Sequence, residues 1–177
     1  YPPYCRIPID YEKIYNKKCL AFILQFIKGL RKKSVNLETT KQPEYLSSYW
    51  PRLSTEQSSW INWNDEITSL ERFICAFDEP YAGGKTFLNK NKVFLKSVMC
   101  DFGDQKFHKF QSGIIYRKGP SWVSVCANGG TLIITKVINN KGENILNSIQ
   151  VGDRFFTPQN YIDSRYNRVV YAPSGQK

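Results

Sequence analysis

Apolar residues recur at Ile67, Leu70, Phe73, Ile74 and Phe77, spacings of three and four that predict an amphipathic helix over 64–77 with one buried stripe. An earlier segment has the same period and a broader face. Ile14, Cys19, Phe22, Ile23, Phe26, Ile27 and Leu30 predict a helix from Tyr11 to about Lys33. Asp10 is placed to cap it, with Lys13 where a capping box would have glutamate, and Arg31, Lys32 and Lys33 suit the negative end of its dipole. Pro2, Pro3 and Pro8 predict an extended arm over residues 1–9. Residues 34–62 show no sustained period and are punctuated by Pro43 and Pro51. A stretch that long reads as a linker packed along a surface, because Tyr45, Tyr49, Trp50, Trp60 and Trp63 stabilise only when buried. Trp50 and Trp63 are expected as structural anchors.

At Phe77–Gly84 the helical pattern stops. Pro80 disfavours helical angles at the residue before it, and Gly83-Gly84 permit close backbone approach. Beyond this joint come short β-type runs: Thr86–Leu88, Val93–Val98, Gly113–Arg117, Trp122–Ala127, Leu132–Ile138 and Ile149–Phe155. Asn89-Lys90-Asn91, Asn128-Gly129-Gly130 and Asn139-Asn140-Lys141-Gly142 separate runs at hairpin spacing. Five or six such strands predict a small antiparallel sheet or barrel. The fold class is therefore α+β: two helices joined by a long linker, then the barrel.

Composition sharpens this picture in three places. The 177 residues are 41% hydrophobic and 15% aromatic, enough for one core, and the longest apolar run, Cys19–Ile27, is about half a membrane span. No membrane partner is expected. The opening Tyr-Pro-Pro-Tyr, without a starting Met, suggests a piece of a longer chain or a processed product. Five widely spaced cysteines and one histidine suit neither a disulfide framework nor a zinc site, so reduced thiols in the cytoplasm are expected. The net charge of +10 sits on the flanks: residues 81–177 hold fourteen basic and five acidic residues, whereas 51–80 hold two and six. A basic face of this kind attracts phosphates, or simply keeps the surface solvated.

Ser48-Tyr49-Trp50-Pro51-Arg52-Leu53, then Ile61-Asn62-Trp63, then a helix ending Ala76-Phe77-Asp78-Glu79-Pro80-Tyr81-Ala82-Gly83, then the strand Lys92-Val93-Phe94-Leu95-Lys96, come in an order that resembles the C-terminal region of folate-dependent formyltransferases. These include the methionyl-tRNA formyltransferases and the amino-sugar N-formyltransferases. Gly84 stands where that family usually has alanine, a departure expected only to relax a packing contact. The resemblance implies an OB-like barrel and a three-part organisation: an arm and helix over 1–33 linked to a catalytic domain, an aromatic-rich linker over 34–63, and a helix plus barrel over 64–177. It also implies 10-formyltetrahydrofolate as cofactor of the parent enzyme, bound outside this region.

Formyl transfer needs a base for the amine and donors for the oxyanion. The family draws these from an Asn, a His in His-x-Ser-Leu-Leu-Pro and an Asp in Asp-x-Gly, segments this sequence lacks. Asp101-Phe102-Gly103-Asp104 matches the last only superficially, and His108 has no acid beside it in sequence. No catalytic residue and no metal ligand is assigned, and whether the chain is itself an enzyme stays open. What remains is binding. Lys85, Lys90, Lys92, Lys96, Arg117 and Lys118 are the candidate acceptor-binding face, suited to a tRNA backbone or a nucleotide sugar. Phe22 and Phe26 mark the first helix as an interaction surface for a catalytic domain or a second copy of the chain. The reading is thus a non-catalytic, acceptor-binding or supporting portion of a formyltransferase. Its alternative is a stand-alone interaction or dimerisation module.

Overall fold

A computed structural model describes residues 1–32, 38–48, 50, 53–103, 105–167, 169, 171–172 and 175–176. Lys33, Tyr49, Pro51, Arg52 and Asp104, singled out above, lie outside the described residues. The helices are α1 (Pro8–Arg31), α2 (Thr55–Ser58), α3 (Ile67–Ala76) and α4 (Gln159–Asp163). The strands are β1 (Gly84–Leu88), β2 (Asn91–Asp101), β3 (Ile115–Lys118), β4 (Val123–Ala127), β5 (Gly130–Asn139), β6 (Phe155–Phe156), β7 (Tyr171–Ala172) and β8 (Gly175–Gln176). Short 3-10 turns occur at Glu44–Leu46, Lys109–Gln111, Leu146–Ser148 and Ser164–Tyr166.

Two sequence expectations at the N-terminal end are corrected. Helix α1 begins at Pro8, not after Asp10, because proline's fixed φ and missing N–H suit the first helical position. Asp10 instead turns its carboxylate back to the N–H groups of Arg6 and Ile7, at 3.3 and 3.4 Å. Trp50 is 84% and Tyr45 86% exposed, so neither is an anchor, whereas Trp60 and Trp63 are buried as expected. The difference follows from neighbours: 59–61 lies along β1, with Lys85 N–H donating to Ser59 O at 2.7 Å and Ile61 N–H to Lys85 O at 2.9 Å.

Helix α3 buries Ile67, Leu70 and Ile74, three positions of the predicted stripe. Its first free N–H, on Ile67, donates to the carbonyl of Asn128 at the tip of the β4–β5 hairpin, 2.9 Å away. This replaces a side-chain cap, which the helix lacks. The six-stranded antiparallel sheet has the order β3-β4-β5-β2-β1-β6. It curls until its two ends approach. Gly113 O accepts from Phe155 N–H at 2.8 Å and Ile115 N–H donates to Asp153 O at 2.9 Å, joining the chain entering β3 to the chain entering β6. Gly113 has φ +85°, and a Cβ there would meet Phe155 O at 2.1 Å, so the approach requires glycine.

The predicted run Ile149–Phe155 is mostly not strand; only Phe155–Phe156 pairs as β6. Val93, Leu95 and Val98 of β2 meet Ile61, Ile67, Leu70 and Ile74 in one core with Val125, Leu132, Ile134 and Phe155. Trp63 stacks on Phe155 at 5.7 Å and donates its indole N–H to Thr86 Oγ1 at 2.9 Å. Helix α1 contributes no buried residue.

Candidate functional site

The β1–β2 hairpin sorts its residues by alternation. Thr86, Leu88, Val93 and Leu95 point inward and are buried. Lys85 pairs with Phe94 and Phe87 with Lys92 across the two strands, so these four share the opposite face with Lys96. The turn between the strands is Asn89-Lys90, with φ +48° and +72°, the left-handed angles of a type I′ hairpin. The register thus places the predicted strand lysines on one face. It does not leave that face open to water.

Lys85 is 7% exposed and Lys96 also 7%. The Lys85 ammonium donates to the backbone carbonyl of Glu56 and lies 5.3 Å from the Trp60 ring centre. Burial holds its pKa below the ordinary lysine value; Lys92 nearby pushes in the same direction, while Glu56 opposes. Trp60 stacks on Phe87 at 5.4 Å, and Tyr161 of α4 packs against both rings, at 4.4 and 5.1 Å. Between these groups lies a cleft of about 610 Å³ walled by Glu56, Gln57, Trp60, Lys85, Phe87, Lys92 and Tyr161. A smaller recess of about 230 Å³ shares Glu56, Lys85 and Lys92 and adds Ser59 and Tyr81. Gln57 Oε1 and Ser59 Oγ are buried without a hydrogen-bond partner.

The other candidate cations are held elsewhere. Lys96 Nζ bonds Glu79 Oε1 at 2.9 Å, with Lys136 Nζ 3.7 Å from the same oxygen. Hydrogen bonding to Lys96 lowers the Glu79 pKa below the usual carboxylate value. Lys118 Nζ donates to the carbonyls of Asn147 and Ile149, at 2.8 and 2.7 Å, and Arg117 lies over the Tyr116 ring at 5.3 Å. Lys90 is exposed at the hairpin turn. The six cations therefore divide among separate settings. Lys85 and Lys92 share a cleft, Lys96 is neutralised internally, and Lys90, Arg117 and Lys118 face outward.

His108 is exposed, with its ring against Phe110 at 4.9 Å. Among the described residues no group of three or more His, Cys, Asp or Glu could hold a metal ion, and no helix is long and apolar enough to cross a membrane. The five cysteines are free thiols. Phe22 and Phe26 stack on each other at 6.3 Å along α1, 68% and 38% exposed. Sequence reasoning missed Trp60, Tyr161, Gln57 and Ser59 as lining residues. The Trp60–Lys85 pairing has no local signature, since it joins segments far apart in the chain.

No curated protein matches the sequence. Two solved variants of HypX from Aquifex aeolicus are similar in structure. One has a TM-score of 0.52 at 17% identity, covering 69% of this chain and 21% of that one. The other has a TM-score of 0.51 at 15% identity, covering 69% and 20%. This chain thus spans about a fifth of the length of each. The profile described as "Formyl transferase, C-terminal domain" matches residues 53–150, from just before α2 through β5 and the 3-10 turn that follows it. On that match, which covers more than half of the sequence, the chain belongs to the formyl transferase C-terminal domain family.

Proposed function

We propose that this chain is the non-catalytic C-terminal portion of a folate-dependent formyltransferase, with an OB-like barrel that holds the amine acceptor or supports the catalytic domain. The family match over 53–150 carries this reading. The curled sheet, and the joint of α3, Pro80 and the two glycines leading into β1, support it. In this reading residues 1–33 link to the catalytic domain, 34–63 form the connection, and 64–177 are the barrel unit in the cytoplasm. The formyl donor, 10-formyltetrahydrofolate, belongs to the catalytic domain. The described residues do not fit it: the sole imidazole, His108, is exposed and has no carboxylate partner among them.

Methionyl-tRNA is the acceptor that suits the charge, and an amino-sugar nucleotide is its rival. The outward-facing Lys90, Arg117 and Lys118 are the cations suited to a tRNA backbone. Binding of initiator tRNA to the 177-residue chain, measured across salt concentrations, tests this. Affinity that falls steeply with salt, and falls further in a Lys90→Glu/Arg117→Glu double variant, supports the tRNA acceptor. Absent or salt-insensitive binding leaves the sugar acceptor or a purely supporting role.

A second reading rests on α1. Its apolar residues, Leu20, Phe22, Ile23, Leu24, Phe26 and Ile27, are all exposed, a surface suited to a catalytic domain or a second copy of the chain. If copies pair there, Phe22→Ser/Phe26→Ser lowers the solution mass from dimer to monomer. An unchanged mass argues against dimerisation.

A further inference from the structure

We infer that the cleft between α2, β1–β2 and α4 is a binding site for a phosphate monoester of an aromatic or heteroaromatic body, such as a mononucleotide. This does not rest on the formyl-transfer reading, and it uses different residues from the outward-facing cations. Three observations converge on it. Two lysines from paired strands, Lys85 and Lys92, border the same cleft, and among the described residues lining it one carboxylate, that of Glu56, is set against them. Lys85 is buried and its ammonium has a neutral carbonyl, Glu56 O, as its hydrogen-bond acceptor. A dianionic phosphate supplies a negative partner for the buried Lys85 ammonium, through charge-assisted hydrogen bonds.

The second observation is the unused hydrogen-bonding capacity. Ser59 is 2% exposed, yet its hydroxyl, which lines the recess beside Lys85 and Lys92, has no partner. Gln57 Oε1, on the wall of the main cleft, is also buried and unpartnered. Such atoms are rare in a packed interior. Gln57 borders the cleft itself, and its carbonyl can accept from a ligand hydroxyl or amine, whereas Ser59 lines only the neighbouring recess. The third is the aromatic wall beside the charge. Phe87 and Tyr161 are half-buried, forming an aromatic surface next to the cations rather than apart from them. Its size, about 610 Å³, is in the range of small-molecule sites.

Calorimetric titration of the chain with adenosine 5′-monophosphate, adenosine and inorganic phosphate tests the assignment. The monophosphate should bind, with adenosine and inorganic phosphate each weaker by about ten-fold or more, because each keeps only half of the contacts. Lys92→Ala should weaken the monophosphate by about ten-fold, and Tyr161→Ala should weaken it while leaving inorganic phosphate unchanged. Lys85→Met removes a buried group and risks the fold, so Lys92, at the partly exposed rim, carries the test; its melting curve should stay that of the parent. No heat with the monophosphate, equal affinity for inorganic phosphate, or undiminished binding in Lys92→Ala would each overturn the assignment.

Discussion

The carboxylate of Asp78, two residues past the end of α3, accepts the backbone N–H of Ser97 in the middle of β2 at 2.7 Å. Its other oxygen accepts the N–H of Glu79, also at 2.7 Å. Asp78 is 2% exposed, and Ser97 has φ +53°, an angle that side-chain-bearing residues rarely adopt. One buried side chain therefore ties the helix end to a distorted point in the longest strand. Removing it leaves two backbone donors unpaired. Asp78→Ala should destabilise the fold by about 1–3 kcal/mol per orphaned group, read by thermal unfolding. Ser97→Gly should raise the melting temperature slightly, because glycine adopts that angle without the roughly 1–2 kcal/mol left-handed penalty.

The paired glycines before β1 should respond unequally. Gly83 has φ +117°, and a Cβ there would meet Leu95 O at 2.8 Å, a backbone atom that cannot swing aside. At Gly84 the nearest atom to an added Cβ is Ile61 Cδ1, at 3.1 Å, and there is no unusual angle. So the alanine expected from the family would meet a tight contact here rather than merely fill space. Gly83→Ala should cost several times what Gly84→Ala does in denaturant unfolding, and Gly84→Ala should stay within about 1 kcal/mol. Equal losses would contradict this geometry.

Acid stability should depend on Glu79. Its pKa is lowered in the folded protein, chiefly by the hydrogen bond from Lys96. A carboxylate held below its unfolded value contributes stability that is fully present above the ordinary glutamate range. That contribution is lost as pH falls through the lowered folded value. Lys96→Met should flatten this acid limb of the stability curve, whereas Lys136→Met, 3.7 Å from the same oxygen, should change it less. Half of the Glu79 side chain is exposed, so high salt should weaken the effect.

The thiols of Cys75, Cys100 and Cys126 should be sluggish. Burial, with Glu71 next, pushes the Cys100 thiol up to about 12. Burial raises Cys75 and Cys126 as well. Because the thiolate is the reactive form and all three are pushed upward, iodoacetamide near neutral pH should label Cys19, partly exposed on α1, before these three. Mass spectrometry of peptides after short labelling reads the order. Early labelling of Cys100 would mean that α3 and β2 separate more readily than their packing implies.

Periodicity made α3, the hairpins at Asn89-Lys90 and Asn128-Gly129, and the antiparallel sheet legible before the structure, because each is decided by residues close in the chain. It also placed Lys92, Phe94 and Lys96 on one face. What it could not supply was the cover on that face. Glu56, Trp60 and Tyr161 come from either side of the barrel sequence, and alternation says which residues share a side without saying what lies against it. The same limit explains Trp50. An aromatic in a loop is buried only if another element passes over it, and the structure leaves this ring exposed while enclosing Trp60 and Trp63.

The hydrogen bond from Ile67 to Asn128 has a consequence for how the chain assembles. The first turn of α3 is completed by a hairpin made much later in the sequence, so this helix should gain full protection from hydrogen exchange only in step with β4 and β5. Amides of Leu70 to Ile74 and of Val123 to Leu132 should therefore open together, as one cooperative unit, rather than as a helix that frays alone.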